Sequence, residues 1–251
     1  MASQLYQPPE LQRYYRDPDV VGSYLRRRTA QPLNGLLHRG QVRFINRVIR
    51  ELAPKRVLEI APGPARLTAE LEFRGLGVAV DASAPMLETA QTRLRERGGN
   101  WRLVQGDAFA LPLAARSVDL VLSLKLIRHF RLAERRRLYD EIRRVLTEQG
   151  ALIIDAQNRA VSLPHRAEKG MDRYPIYDEL YSREELITEL EMAGFEVMRL
   201  DGMLWHFPLQ RRLNRLRRIG LDGVARALVT VVEALPGNNP STWMVLSAVR
   251  N

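Results

Sequence analysis

At 251 residues, with 45% apolar side chains, the chain is long enough for one α/β domain with a full core and an appendage. It contains no cysteine, which excludes disulfides, thiolate metal sites and cysteine nucleophiles. Its net charge is +10, but only Lys55, Lys125 and Lys169 of its 39 basic residues are lysine, an arginine bias that genomic base composition alone can produce, so charge by itself assigns no polyanionic partner.

Residues 1–54 precede the first strand signal and read as an N-terminal helical cap. They carry Tyr14-Tyr15-Arg16, Tyr24 and Arg26-Arg27-Arg28, and then Val42, Ile45, Val48, Ile49 and Leu52 at helical spacing, which predicts a helix over about 38–52 stopped by Pro54. The rest, 55–251, reads as one domain. Val57, Leu58 and Ile60 form a short buried strand that runs into the small-residue turn Ala61, Gly63 and Ala65, with a helix expected to follow through Glu72. Gly77–Asp81 is a second apolar strand ending in an acid. Ser83 caps a helix running to about Arg97, and Gly98-Gly99-Asn100 breaks it.

Trp101–Gln105 is the third strand, Val118–Leu124 the fourth and Ala151–Asp155 the fifth. A helix over Leu132–Leu146 precedes the fifth strand and is expected to end at Gln149-Gly150. Residues 157–181 lack periodicity and read as a long lid loop. Ser182 and Glu185 form a capping box that opens the next helix, and Gly194 closes it. Phe195–Leu200 and Trp243–Val249 are the last two strands, with a helical insertion over 204–236 between them. Strands alternating with helices predict a doubly wound, Rossmann-like α/β sheet of seven strands. In such a sheet the ligand lies outside the carboxyl ends of the strands, and an acid about 20 residues after the glycine turn, here Asp81, accepts from ribose hydroxyls.

Taken together, the run VLEIAPGPARL, the acid of GVAVD and the sequence GDAFALPL followed by SVDLVLSL resemble class I S-adenosylmethionine-dependent methyltransferases. They resemble most the branch that holds ubiquinone- and menaquinone-biosynthesis enzymes and many small-molecule methyltransferases. One of the three motif glycines is present, as Gly63; Ala61 and Ala65 stand in the other two places. The resemblance implies S-adenosylmethionine as cofactor and S-adenosylhomocysteine as product. It places Glu59 near the methionine amino group, Ala61 and Gly63 in the cofactor turn, Asp81 and Ala82 at the ribose, and Met86 against the adenine. Asp107 then accepts from the adenine amine, Ala108 and Phe109 cover the ring, and Ser123 stands at the end of the fourth strand beside the cofactor. His129, just after that strand, is the candidate general base. Tyr14, Tyr15, His165, Tyr174 and Tyr177 are the candidate acceptor contacts.

Other readings share the fold. A nicotinamide-dependent dehydrogenase of the short-chain type needs a Tyr-x-x-x-Lys pair, and no tyrosine here has a lysine four residues on. A base-amine methyltransferase acting on nucleic acid needs an Asn/Asp-Pro-Pro-aromatic motif where this chain has Ser123-Leu124-Lys125-Leu126. An RNA enzyme of another subclass using the basic surface stays open, as does a protein that binds the cofactor without transferring the methyl group. The expected acceptor is a small or lipid-like molecule methylated on oxygen or carbon. The insertion 204–236, with Leu209, Leu213 and Leu216 on one face and Arg211, Arg215 and Arg218 on another, is either a packed helical cap or a contact with an anionic membrane. No apolar run approaches the about 18 residues of a membrane span and no leader-like segment is evident, so the expected location is cytoplasmic or peripheral to a membrane. The four scattered histidines show no metal-ligand spacing, and no metal is expected.

Overall fold

A computed structural model describes residues 31–98, 100–174 and 176–250. Tyr14, Tyr15 and most of the N-terminal cap lie outside these residues.

The strands are β1 (Arg56–Ile60), β2 (Leu76–Asp81), β3 (Trp101–Gln105), β4 (Val118–Ser123), β5 (Leu146–Asn158), β6 (Leu180–Tyr181), β7 (Phe195–Met203) and β8 (Thr242–Val249). Seven of them form the path β3-β2-β1-β4-β5-β8-β7, and the two-residue β6 pairs with β5 off that path. β1 to β5 run parallel, whereas β8 is antiparallel to both β5 and β7. This is the doubly wound sheet expected from the apolar runs. Pairings such as Ile60 with Val80, Asp81 with Gln105 and Ser123 with Ile154 bring the carboxyl ends of the first five strands to one edge. The site is built on that edge.

The two sheet faces are covered separately because strand side chains alternate. Leu58, Ile60, Val121, Leu152 and Ile154 face a core completed by Leu138, Tyr139 and Ile142 of helix α3 (Leu132–Val145) and by Leu186 and Leu190 of helix α5 (Arg183–Met192). Val57, Leu120, Leu122 and Ile153 face the other side, under Phe44, Ile45, Val48 and Ile49 of helix α1 (Pro32–Leu52). Helix α2 (Ala84–Arg97) packs Ala90 and Leu94 against Ala65, and its Ser83 cap accepts from the Met86 amide. The capping box at Ser182 forms both of its bonds, at 2.8 and 3.1 Å.

Three stretches differ from the sequence expectation. No regular helix follows β1: Pro62 and Pro64 withhold amide donors, and the chain turns through 62–67 into a single 3-10 turn, Thr68–Glu70. Gln149-Gly150 do not end a helix, because α3 stops at Val145 and β5 starts at Leu146, with an irregular register against β4 between Val118 and Leu120. Residues 157–181 are largely ordered into helix α4 (Arg159–Lys169), a 3-10 turn at Met171–Arg173 and β6. The insertion is helical as expected, with α6 (Phe207–Leu213), a 3-10 stretch over Asn214–Ile219 and α7 (Asp222–Glu233).

Ala61, Gly63 and Ala65 all sit in the left-handed region, at φ of 55°, 56° and 54°. Glycine adopts this conformation freely, whereas alanine pays about 1–2 kcal/mol. Ala65 is fully buried and its methyl packs on α2, which offsets that cost. Ala61 has no such role, so Ala61→Gly is expected to raise the melting temperature. The gain is up to about 1 kcal/mol after the entropy returned to the unfolded chain is subtracted. Scanning calorimetry of the two proteins would decide this, and an unchanged or lower midpoint would show that the turn holds Ala61 without strain.

Candidate functional site

The turn after β1 is stitched to the end of β2. The Ala61 amide donates to the Val80 carbonyl at 2.8 Å, and the Gly63 amide donates to Asp81 Oδ2 at 2.9 Å. Asp81 Oδ1 accepts from the Ser83 amide at 2.9 Å. Burial pushes the Asp81 carboxyl up, and the amides of Ser83, Gly63 and Ala82 draw it back down. A carboxylate offers about four lone pairs, so Asp81 both holds the turn and keeps capacity for a ligand's hydroxyls. A Cβ on Gly63 would meet nothing within 4 Å, which means the turn faces open space.

Glu59, at the end of β1, is buried and accepts from the Thr68 hydroxyl at 2.5 Å. Burial pushes its pKa up to about 7, against the opposing pull of Thr68 and Arg66. Asp107 is exposed at the end of β3, where its Oδ1 accepts from the Phe109 amide at 2.9 Å in an Asx turn. The Phe109 ring lies edge-on to Phe130 at 4.9 Å, with the Arg137 guanidinium 5.4 Å from its centroid. Ala82 and Ala108 follow the two strand-end acids directly, and Met86 is buried in the first turn of α2. Ser123, at the end of β4, is buried with its hydroxyl unpartnered among the described residues, a donor left over at the middle of the edge. The set therefore holds two carboxylates for hydroxyls and an amine, a buried carboxylate for an ammonium, an open turn and a spare hydroxyl. That chemistry fits a nucleoside carrying an amino acid.

Beyond β4 a chamber of about 430 Å³ opens, lined on one side by Lys125, Arg128, His129 and Asp155 and on the other by α4, Tyr174, Phe207 and the first turns of α1. The His129 imidazole is almost enclosed, with a side-chain exposure of 9%. Its Nδ1 lies 2.8 Å from the Tyr177 carbonyl oxygen, an acceptor only, so Nδ1 carries the proton and Nε2 holds the lone pair. Burial, and then Arg128, keep the imidazole below its ordinary pKa, with Asp178 pulling the other way. Asp178 is itself clamped between Arg128, at 3.0 Å, and Arg166. Arg166 also donates to Gln157 at 2.7 Å and lies 5.0 Å from the Tyr174 ring centroid. Tyr174 and His165 line the chamber. Tyr177 does not: its hydroxyl donates to Glu179 at 2.6 Å and its ring sits under Arg131, so its backbone carbonyl is what the site uses.

Sequence reasoning left out a polar relay that joins the turn to the chamber. Arg66 bonds to His38 and, at 3.0 Å, to Gln41; Gln41 donates to Asp155, at 3.4 Å, which also accepts from the Lys125 amide at 2.5 Å. The only signal available in the sequence was Asp155 itself, the acid that ends ALIID. Among the described residues, no group of three or more His, Cys, Asp or Glu is placed to hold a metal.

Residues 57–150 match a family model described as a methyltransferase domain. Over that stretch the chain is similar to methyltransferases. Over 114 residues the chain is 36% identical to the demethylmenaquinone methyltransferase of Thermotoga maritima, which covers 43% of this chain and 45% of that one. It is 33% identical to the malonyl-[acyl-carrier protein] O-methyltransferase of Methylococcus capsulatus, over 64% of this chain and 62% of the other. The chain thus spans about half the length of the first relatives it matches. In fold, the magnesium protoporphyrin IX methyltransferase of Synechocystis, solved with bound S-adenosylhomocysteine, superposes with a TM-score of 0.67 at 14% identity, over 98% of this chain and all of that one. The donor set above fits S-adenosylmethionine, the cofactor that these similarities point to.

Proposed function

We propose that the chain transfers a methyl group from S-adenosylmethionine to an oxygen or carbon of a small or lipid-like acceptor held in the chamber. The observation that carries this reading is the position of His129. It is a neutral, tautomer-fixed imidazole on the chamber wall, in the segment that continues directly from Ser123. When bound, S-adenosylmethionine supplies a methyl group on a cationic sulfur, which leaves as the neutral thioether of S-adenosylhomocysteine. The residues of the chain do the rest. Glu59, Asp81 and Asp107 orient the cofactor, with Ala61, Gly63 and Ala82 leaving room for it and Met86, Ala108 and Phe109 flanking the adenine. The chamber aligns the acceptor for an in-line displacement and keeps water from it. His129 Nε2 takes the proton that the acceptor's O–H or C–H gives up. His165 and Tyr174 contact the acceptor, and Tyr177 enters through the carbonyl that fixes His129. The demethylmenaquinone and malonyl-[acyl-carrier protein] in the relatives' names support an organic acceptor.

Calorimetric titration with S-adenosylmethionine, S-adenosylhomocysteine and, as controls, NAD and NADP tests the cofactor half of this reading. Both adenosyl ligands are expected to bind and both dinucleotides to fail. Asp107→Asn keeps the oxygen that holds the Phe109 amide but gives up the second carboxylate oxygen, and is expected to weaken binding by about tenfold or more. Binding of NAD instead, or full affinity in Asp107→Asn, would overturn the cofactor placement.

A further inference from the structure

Helix α7 turns a long apolar stripe toward solvent. Its inner face is accounted for: Ala225 and Val229 are buried, with Val229 packed against Leu33 and Leu36 of α1 and against Leu204. Glu233 points back to the Leu204 and Trp205 amides. Its outer face carries Leu221, Val224, Leu228, Val231 and Leu235, spaced three and four residues apart. Together with Ile219 just before them, these side chains are between 38% and 70% exposed. Six large apolar residues in one line are not the scattered surface leucines of an ordinary domain. Of the leucines singled out ahead of α7, Leu213 packs inward and Leu209 is exposed, so the continuous stripe is that of α7.

Beside the stripe, residues 207–221 hold five arginines and no acid. Arg211, Arg215, Arg217 and Arg218, with Lys169, line an open cavity of about 650 Å³ that shares Leu33, Asn34, His165 and Phe207 with the acceptor chamber. Arg211 pairs with Glu168 at 2.6 Å but keeps its Nη1 buried and, among the described residues, unpartnered, and Arg217 is 3.9 Å from Asp222. Arg215 and Arg218 have no ion pair among the described residues. An apolar helical face flanked by unneutralised arginines is the character of a helix lying in the headgroup plane of an anionic bilayer.

We propose that α7 and the preceding arginines dock the protein on an anionic lipid surface, with the arginine-lined cavity against the phosphates and the acceptor chamber opening toward the bilayer. The occupant is a lipid surface rather than a second copy because the stripe lies beside a concentration of like charge. A symmetric pairing through it would bring the two arginine clusters together. Binding is peripheral, since no helix among the described residues is long and apolar enough to cross a membrane. The docking face stands independently of the proposed reaction and is read without an acceptor.

Flotation of the full chain with vesicles tests it, comparing phosphatidylcholine alone with phosphatidylcholine containing phosphatidylglycerol. The protein is expected to float with the anionic vesicles, to stay behind with the neutral ones and to be released by salt. The double variants Val224→Asp/Leu228→Asp and Arg215→Glu/Arg218→Glu are each expected to lose binding at least about tenfold. Their melting temperature and S-adenosylhomocysteine affinity should match the parent, because all four side chains are exposed and away from the cofactor turn. Failure to bind anionic vesicles overturns the proposal, as does equal binding by either variant. A dimer in light scattering that Val224→Asp/Leu228→Asp converts to monomer, without vesicle binding by the parent, assigns the stripe to a second copy instead.

Discussion

Glu59→Gln is expected to make the ligand-free protein more stable above pH 7 and, in the same substitution, to weaken cofactor binding by about 10–100-fold. The Glu59 carboxyl is fully enclosed, with Thr68 the one donor to it among the described residues, and its pKa rises from 4.5 to about 7. A raised pKa means the folded state binds this proton more tightly than the unfolded state does. Stability therefore falls as pH climbs from about 4.5 to about 7 and levels off above that window. At about 1.4 kcal/mol for each pH unit, keeping Glu59 ionised costs the fold about 3 kcal/mol at pH 8. Glutamine still accepts from Thr68 and carries no charge, so it returns most of that energy.

A buried anion facing an open turn is a cost that makes sense only if a cation comes to meet it. The ammonium of the cofactor's methionine is the expected one. Affinity in the parent should then rise through about pH 7 as Glu59 loses its proton, and turn down again near pH 8, where an α-amino group loses its own. Melting curves and calorimetric titrations over pH 5.5–8.5 would check both halves. A variant that is stabilised but binds S-adenosylmethionine as the parent does would leave Glu59 as a buttress for Thr68 only.

The same residue shows what the sequence makes legible. Buried parallel strands read as short apolar runs, and an acid at or just after the end of the first, second, third and fifth is visible without any structure. Glu59, Asp81 and Asp107 could therefore be placed on one edge from strand order alone. What lies between the strands was harder. The prolines at 62 and 64 are visible, but the left-handed backbone of Ala61 and Gly63 is not, because the bonds that hold it run to the Val80 carbonyl and the Asp81 carboxylate on the neighbouring strand. Helix α4 escaped notice because the side chains it buries, Ser162 and Arg166, are polar and face a chamber rather than an oily core. The relay from His38 through Arg66 and Gln41 to Asp155 draws on three distant segments, and no local pattern announces it. Tyr177 was read for its ring when the site uses its carbonyl, a backbone role that residue type does not encode.

His129 carries the largest expected loss of turnover. His129→Ala is expected to lower kcat by about 10²–10⁴-fold, the usual worth of a positioned general base, while S-adenosylhomocysteine affinity stays near the parent value because the imidazole lies in the chamber rather than at the cofactor turn. His129→Asn separates catalysis from support. The asparagine amide can replace the Nδ1 donor to the Tyr177 carbonyl, but it has nothing in place of Nε2. If His129 is the base, asparagine restores stability and leaves kcat as low as alanine does. If the imidazole only ties β4 to the segment before β6, asparagine returns both.

The pH profile gives an independent reading. Burial and Arg128 hold the imidazole below its ordinary pKa of 6.5, so the neutral form needed for proton removal is already dominant at pH 7. With the cofactor saturating at every pH, so that Glu59 does not enter, kcat in the parent should fall on the acid side with its midpoint below 6.5, and that limb should vanish in His129→Asn. Removing the stronger of the two carboxylates that raise its pKa, as in Asp178→Asn, which leaves Asp155, should move the limb further toward acid. A limb that stays in place in both variants would assign the titration to another group and take the role of base away from His129.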